Sequence, residues 1–155
     1  MLSGICIRTV APTDSSALGA FYECLGPDTR YRRFHGLTHL SNEAAVTFAG
    51  ADGQCRAGYV ATQDGRIVGH ACLEPVGPGR AELGIAVADE LAGHGIGGAL
   101  LSALEAWGRS HGIRHICASV LTTNGSMIAL MRHIGPVQTL SLSYPSELLL
   151  DVELV

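Results

Sequence analysis

The stretch Leu91-Ala92-Gly93-His94-Gly95-Ile96-Gly97-Gly98-Ala99-Leu100-Leu101 constrains this chain more than any other. Residues 81–88 before it read as a strand. After it, Ile96, Leu100, Leu101, Leu104 and Trp107 recur at helical spacing to about residue 110. A glycine-rich loop therefore joins a strand to a strongly amphipathic helix. Small residues there leave the first backbone N–H groups of the helix unshielded, at the positive end of its dipole, which makes an anion site. Gly95, Gly97 and Gly98 let an anion approach with no Cβ in the way; the alternative is that these glycines serve close packing. All ten basic residues are arginine. With no lysine, a nucleoside-triphosphate loop, a Schiff-base enzyme and a pyridoxal enzyme drop out. The unit falls mid-chain after a hairpin, with no acidic residue ending the next strand, which departs from the dinucleotide fingerprint. A pyrophosphate-bearing carrier of another kind fits better.

Around this unit the pattern alternates between strands and helices. Residues 5–10 predict a strand, closed by Pro12. Asp14 is the expected cap of a helix carrying Leu18, Phe21, Tyr22 and Leu25 on one face. Gly26-Pro27 breaks it; a second helical piece covers 28–34 and a third begins at Ser41. Strands at 56–62 and 66–73 meet at Asp64-Gly65, a dipeptide suited to a tight hairpin. Beyond the long helix, 113–121 predicts a strand, 126–133 a last helix ended by Gly135-Pro136, and 137–143 and 148–154 two closing strands around Pro145. The order condenses to β-α-α-β-β-β-α-β-α-β-β. That is an α/β (α+β) layer with a mixed, mostly antiparallel central sheet flanked by helices.

At 155 residues, without repeat or linker, residues 1–155 are expected to form one domain. A net charge of -4 argues against a nucleic-acid binder that lives on phosphate contacts. No run approaches the ~18 apolar residues of a membrane span. Cys6, Cys24, Cys55, Cys72 and Cys117 are scattered, which predicts buried free thiols. With no basic-then-apolar leader at the N-terminus, a cytoplasmic location is the expectation.

The glycine loop resembles that of the GCN5-related N-acetyltransferases, whose pattern is Gln/Arg-x-x-Gly-x-Gly/Ala at the helix after the fourth strand. Ala92-Gly93-His94-Gly95-Ile96-Gly97 matches its glycines and context and departs at Ala92. The element order matches along the whole chain. Upstream, Leu25-Gly26-Pro27-Asp28-Thr29-Arg30-Tyr31-Arg32-Arg33-Phe34-His35 is similar to the Ser-Pro-x-Ser-Arg-Tyr-x-Arg-Phe-Phe run of bacterial Pat-like protein-lysine acetyltransferase domains, through Pro27, Arg30, Tyr31, Arg33 and Phe34. The resemblance implies the GNAT fold and acetyl-CoA (coenzyme A) as co-substrate. The acceptor it implies is an amine, either a protein lysine or a small molecule. It places Tyr31, Arg33 and Phe34 at the acceptor face. Backbone groups of Ile85, Ala86 and Val87 would pair with the pantetheine arm, and Gly93, His94, Gly95, Ile96, Gly97 and Gly98 would take the pyrophosphate. Asn124 would hydrogen-bond the carrier, or simply cap its helix. Relatives often dimerise through the sheet, so a homodimer is an allowed state.

Moving an acetyl group from a thioester to an amine requires loss of the ammonium proton and a donor for the oxyanion. Glu82 is the candidate catalytic base. In an apolar strand its carboxylate is expected to be desolvated, with a raised pKa; otherwise it is a strand-edge glutamate, in solvent or paired with Arg80 or Arg30. Many relatives protonate the leaving thiolate with a tyrosine seven residues after the asparagine, but that position here is Met131. Tyr31, Tyr59 and Tyr144 remain as weak substitutes. No metal site is expected: His111 and His115 flank Gly112, and His35 and His39 have no acidic or cysteine partner nearby. His70 either faces the cleft or is a satisfied sheet histidine. Cys72 and Cys117 show no partner that would make a thiolate. The reading is an acetyl-CoA-dependent N-acetyltransferase working by direct attack in a ternary complex. Its rival is a non-catalytic acyl-CoA-binding sensor.

Overall fold

The computed structural model describes residues 4–34, 41–143 and 146–154. His35, His39, Tyr144 and Pro145, singled out above, lie outside them. Strand β1 (Ile5–Thr9) is followed by a 3-10 turn at Pro12–Asp14 and by helices α1 (Ser15–Glu23), α2 (Pro27–Phe34) and α3 (Asn42–Ala49). All three helical pieces read from the sequence before β2 thus form, one more than the condensed order shows. Pro27 starts α2, since proline at the first helical position loses no intrahelical bond. Ser41 caps α3 by accepting the Ala44 N–H at 3.1 Å. Asp14 does not cap α1 through its side chain. Its carboxylate instead accepts Ala11 N–H at 2.7 Å and both terminal nitrogens of Arg8 at 2.8 and 2.9 Å, locking β1 to the turn.

The remaining elements are β2 (Ala57–Gln63), β3 (Arg66–Gly77), β4 (Arg80–Val87), α4 (Ile96–Ser110), β5 (His115–Leu121), α5 (Gly125–Ile134), β6 (Val137–Ser143) and β7 (Glu147–Glu153). Asp64 and Gly65 both take positive φ, 51° and 79°, and make the β2–β3 hairpin turn. β3 runs four residues beyond the expected end, because β4 pairs with it through Gly77↔Arg80 across a bulge. β5 starts two residues late: Gly112 has φ 75°, and the Arg114 and His115 amides bond Gly79 O rather than a strand partner.

The seven strands lie in the order β1-β2-β3-β4-β5-β7-β6, and only β4–β5 is parallel. One face of the sheet carries α4. A Cβ on Gly69 of β3 would sit 3.1 Å from Leu100 and 3.2 Å from Ile96, so glycine there lets the helix seat closely. Leu100 and Leu104 of α4 are fully buried, and each such leucine contributes about 1.5–3 kcal/mol on leaving water. Trp107 ties the end of α4 across the chain by donating to Gly53 O at 2.8 Å. The opposite face is covered by α1, α2 and α3 through Leu18, Tyr22, Phe34 and Phe48.

Two expectations about single residues fail here. All five cysteines are free, but Cys6, Cys24 and Cys55 are exposed; only Cys72 and Cys117 are buried. His70 does not face a cleft. It is wholly buried under α1 and α3, with Nδ1 2.6 Å from the Tyr22 hydroxyl and its ring 5.2 Å from that of Phe48. Its Nε2 has no hydrogen-bond partner, so it is not fully satisfied either.

Candidate active site

The parallel ladder between β4 and β5 is three residues long: Arg80↔His115, Ala81↔Ile116 and Glu82↔Cys117. Beyond it β4 stays with β3 as far as Val87↔Gly69, while β5 stays with β7 as far as Leu121↔Glu147. The two strands therefore diverge and open a V in the middle of the sheet. Antiparallel ladders alternate, so residues bonded to one neighbour turn their partners' groups away from the other. Ala88 N–H bonds Val68 O at 2.8 Å. By that alternation Ala86 faces β3, and Ile85 and Val87 turn their N–H and C=O groups into the V. A backbone with free donors and acceptors can receive an extended ligand as an added strand.

The mouth of α4 lies beside the V. Gly95 is its N-terminal boundary residue, with φ 85° and no side-chain cap, and Gly93 has φ 79°. The first bond inside the helix runs from Ala99 N–H to Gly95 O at 3.1 Å. The amides of Ile96, Gly97 and Gly98 thus have no carbonyl within the helix to take them. A Cβ on Gly98 would meet nothing within 4 Å, so that position is open. One on Gly97 would come within 3.2 Å of Leu130 of α5. Gly97 is therefore a packing glycine, and Gly95 and Gly98 fit the anion reading.

V and helix mouth form one cleft of about 1010 Å³. Of the residues singled out by sequence, it is lined by Arg33, Phe34, Glu82, Ile85, Ala86, Val87, Gly93, Gly95, Ile96, Gly97, Gly98 and Asn124. Two are not brought to it. His94 is exposed and turns its Nδ1 back onto Ala92 O and Leu91 O, at 3.0 and 3.2 Å. Tyr31 is exposed on α2, 43% accessible, and outside the lining. Asn124 caps α5, its Oδ1 accepting Met127 N–H at 3.2 Å.

Glu82 sits at the last rung before the strands part. The apolar enclosure expected around it is absent: the side chain is exposed at the cleft. It is not paired with Arg80, which bonds the buried Asp151 at 2.8 Å together with His115 at 2.9 Å. Partners across a ladder share a face, so Glu82, Cys117, Ser119 and Glu147 all project to the side of the sheet that α2 covers. Ser119 donates to Glu147 within the cleft. Sequence reasoning missed this pair, since only the β5–β7 register joins residues 28 positions apart. Asp89, also in the lining, accepts from Gly26 N–H at 2.9 Å and Thr29 Oγ1 at 2.6 Å, fixing the start of α2 beside the loop after β4.

Met131, at the position where relatives carry a tyrosine, is completely buried in the core. Tyr59 lines a separate, smaller pocket. Burial pushes the Cys72 thiol up, and burial followed by the neighbouring Glu82 charge pushes Cys117 up. Neither cysteine is disposed to act as a thiolate nucleophile.

The family profile of acetyltransferases (GNAT) matches residues 19–135. The chain belongs to the GNAT acetyltransferase family. Solved structures agree across nearly its full length. The GNAT domain of PAT from S. lividans is 27% identical with a TM-score of 0.86, covering 96% of this chain and 89% of its own. A phosphinothricin acetyltransferase of the GNAT superfamily from Sinorhizobium meliloti, crystallised in complex with AcCoA, is 22% identical (TM-score 0.78, 97% and 89% covered). A putative acetyltransferase from Salmonella typhimurium with its cofactor acetyl-CoA is 18% identical (TM-score 0.78, 99% and 95% covered). Curated protein sequences yield no match. The seven-stranded mixed sheet with its flanking helices is thus the GNAT fold, and the family makes the chain an N-acetyltransferase.

Proposed function

We propose that the chain transfers an acetyl group from acetyl-CoA to an amine by direct attack, with Glu82 as the base. The observation that carries this is the opening of β4 from β5 immediately after Glu82, beside the uncapped N-terminus of α4. One end of the cleft supplies unsatisfied helix amides for a pyrophosphate. Its middle offers strand edges at Ile85 and Val87 for a pantetheine arm, and the far end holds a carboxylate. Acetyl-CoA in the two neighbours crystallised with it supports the same carrier here. Among the described residues no helix is long and apolar enough to cross a membrane.

In this reading the amine nitrogen attacks the thioester carbon and Glu82 accepts the amine's proton. The C–S bond breaks, releasing the amide and the carrier thiolate. A thiol of this kind has a pKa of about 8.5, so the thiolate can leave without a tyrosine at Met131. An N–H group of β4 in the V is placed to polarise the carbonyl.

The test is thiol release from acetyl-CoA with a panel of amines and lysine peptides. Glu82→Gln should retain acetyl-CoA affinity and lose about 10²–10⁴-fold in kcat, the span of a general base. Undiminished turnover in that variant moves the base elsewhere. Acetyl-CoA binding without turnover of any amine would leave an acyl-CoA-binding module.

A further inference from the structure

Arg33, near the end of α2, lies flat against β4. A Cβ on Gly84 would fall 2.5 Å from its Nη2 and 2.6 Å from its Cζ. The guanidinium is held over Phe34 and Phe48, with Cζ 4.9 and 5.5 Å from the two ring centres. Its Nη2 reaches Cys72 Sγ at 3.5 Å, a weak acceptor, and its buried Nε has no hydrogen-bond partner. Tyr22, Cys72 and His70 packed around it are neutral at working pH, while the Glu82 carboxylate at the cleft also acts on it. Burial raises Tyr22 to about 12, raises the Cys72 thiol, and lowers His70 to about 3.

A guanidinium buried with a donor unpaired is costly unless something outside the fold completes it. Nε is closed off, but Arg33 is only partly buried and lines the cleft, so an oxyanion there can meet the open edge of the guanidinium. Gly84, against which it lies, is two residues along β4 from Glu82 and on the same face, roughly 7 Å away at strand rise. An acceptor that turns its amine to Glu82 and an oxyanion to Arg33 would set opposite charges together at both ends. Arg33, with Arg32 also in the lining, disfavours acceptors that bring only positive charge.

We propose that Arg33 anchors a carboxylate of the acceptor, so that the substrate is a small amine carrying a carboxylate a few bonds from its nitrogen, as in an amino acid. The inference rests on the acetyl-transfer reading above and narrows its acceptor. Planar, two-pronged recognition of a carboxylate is what a guanidinium does and an ammonium does not.

The experiment is acetyl transfer by the intact chain to the set of amino acids, each paired with the amine left when its carboxylate is removed, and to lysine peptides. Wild type should favour at least one amino acid over its decarboxylated partner by about 10- to 100-fold in kcat/KM. In Arg33→Met that ratio should collapse toward one, chiefly through KM, while acetyl-CoA affinity is retained. Arg33→Lys, which keeps the charge but not the fork, should fall between. Should the variants fail to fold, the wild-type ratio decides by itself. Peptide lysines or decarboxylated amines turned over as well as any amino acid, or a ratio that survives Arg33→Met, would overturn the assignment of Arg33 and leave the acetyltransferase reading standing. Acetyl-CoA binding with turnover of no amine at all overturns both.

Discussion

Single residues in this chain have roles that follow from which way they point. Glu82 and His70 are both polar residues in apolar strands, yet one opens onto the cleft and the other is sealed under α1 and α3. Burial lowers His70 to about 3. The unfolded chain takes up that proton near pH 6.5, while the folded one does so only near 3. Between those values the unfolded state holds more protons, so stability is full above about pH 6.5 and declines as pH falls toward 3. The decline is about 1.4 kcal/mol per pH unit at most. Urea midpoints taken at pH 7, 6, 5 and 4 should show it, and His70→Leu should flatten the slope whatever its effect at neutral pH. An unchanged slope would mean other groups set it. Asp14, held below the usual carboxylate range first by its bonds to Arg8, loses its contribution only at the lower end, as pH falls through its folded pKa. Glu82 was legible as a candidate because it stands three residues before a stretch whose backbone the resemblance assigns to a carrier. His70 was not, because nothing in its strand says which neighbouring face will be roofed by helices.

At the scale of elements, the start of α4 separates binding from packing within two residues. Gly98 borders open space and Gly97 borders Leu130. Gly98→Glu should leave the thermal midpoint near wild type, since a carboxylate suits a helix N-terminus. It should weaken acetyl-CoA at least about tenfold by repelling the diphosphate, each tenfold being 1.4 kcal/mol. Gly97→Val should instead cost about 1–3 kcal/mol of stability through overpacking against α5. Calorimetry and isothermal titration on the two variants check both halves; equal behaviour would show that the two glycines are not distinguished as the structure has them. The loop was readable in advance because it is local: glycines, a strand before and a helix after. Asn124 was readable as a cap for the same reason. The extension of β3 and the late start of β5 were not, since each depends on how a distant segment pairs.

For the whole molecule, the cleft is held open by three docked pieces: α2 tied through Asp89, β4 on β3, and β5 on β7. A ligand that fills the V bridges all three and should raise global stability. Acetyl-CoA at 100 times its Kd should add about 2.7 kcal/mol, or several degrees in the thermal midpoint of a chain of this size. Amide exchange should slow at 85–87 and 96–98 together. Thermal scans and exchange with and without acetyl-CoA measure this. Protection confined to other segments would place the carrier outside the cleft.

Local pattern was enough to determine the order of strands and helices, the glycine mouth of α4 and the residue types the chemistry needs. Helix periodicity, turn dihedrals and exposed amides are set by neighbours within a few positions. Only the tertiary structure decided that β4 leaves β5 after Glu82, that Ser119 meets Glu147, and that Arg33 lies on Gly84 while His94 and Tyr31 stay outside the lining. Those facts depend on strand register and on how α2 docks. Register and docking are fixed by contacts between residues far apart in the chain, where shape and burial outweigh any local preference.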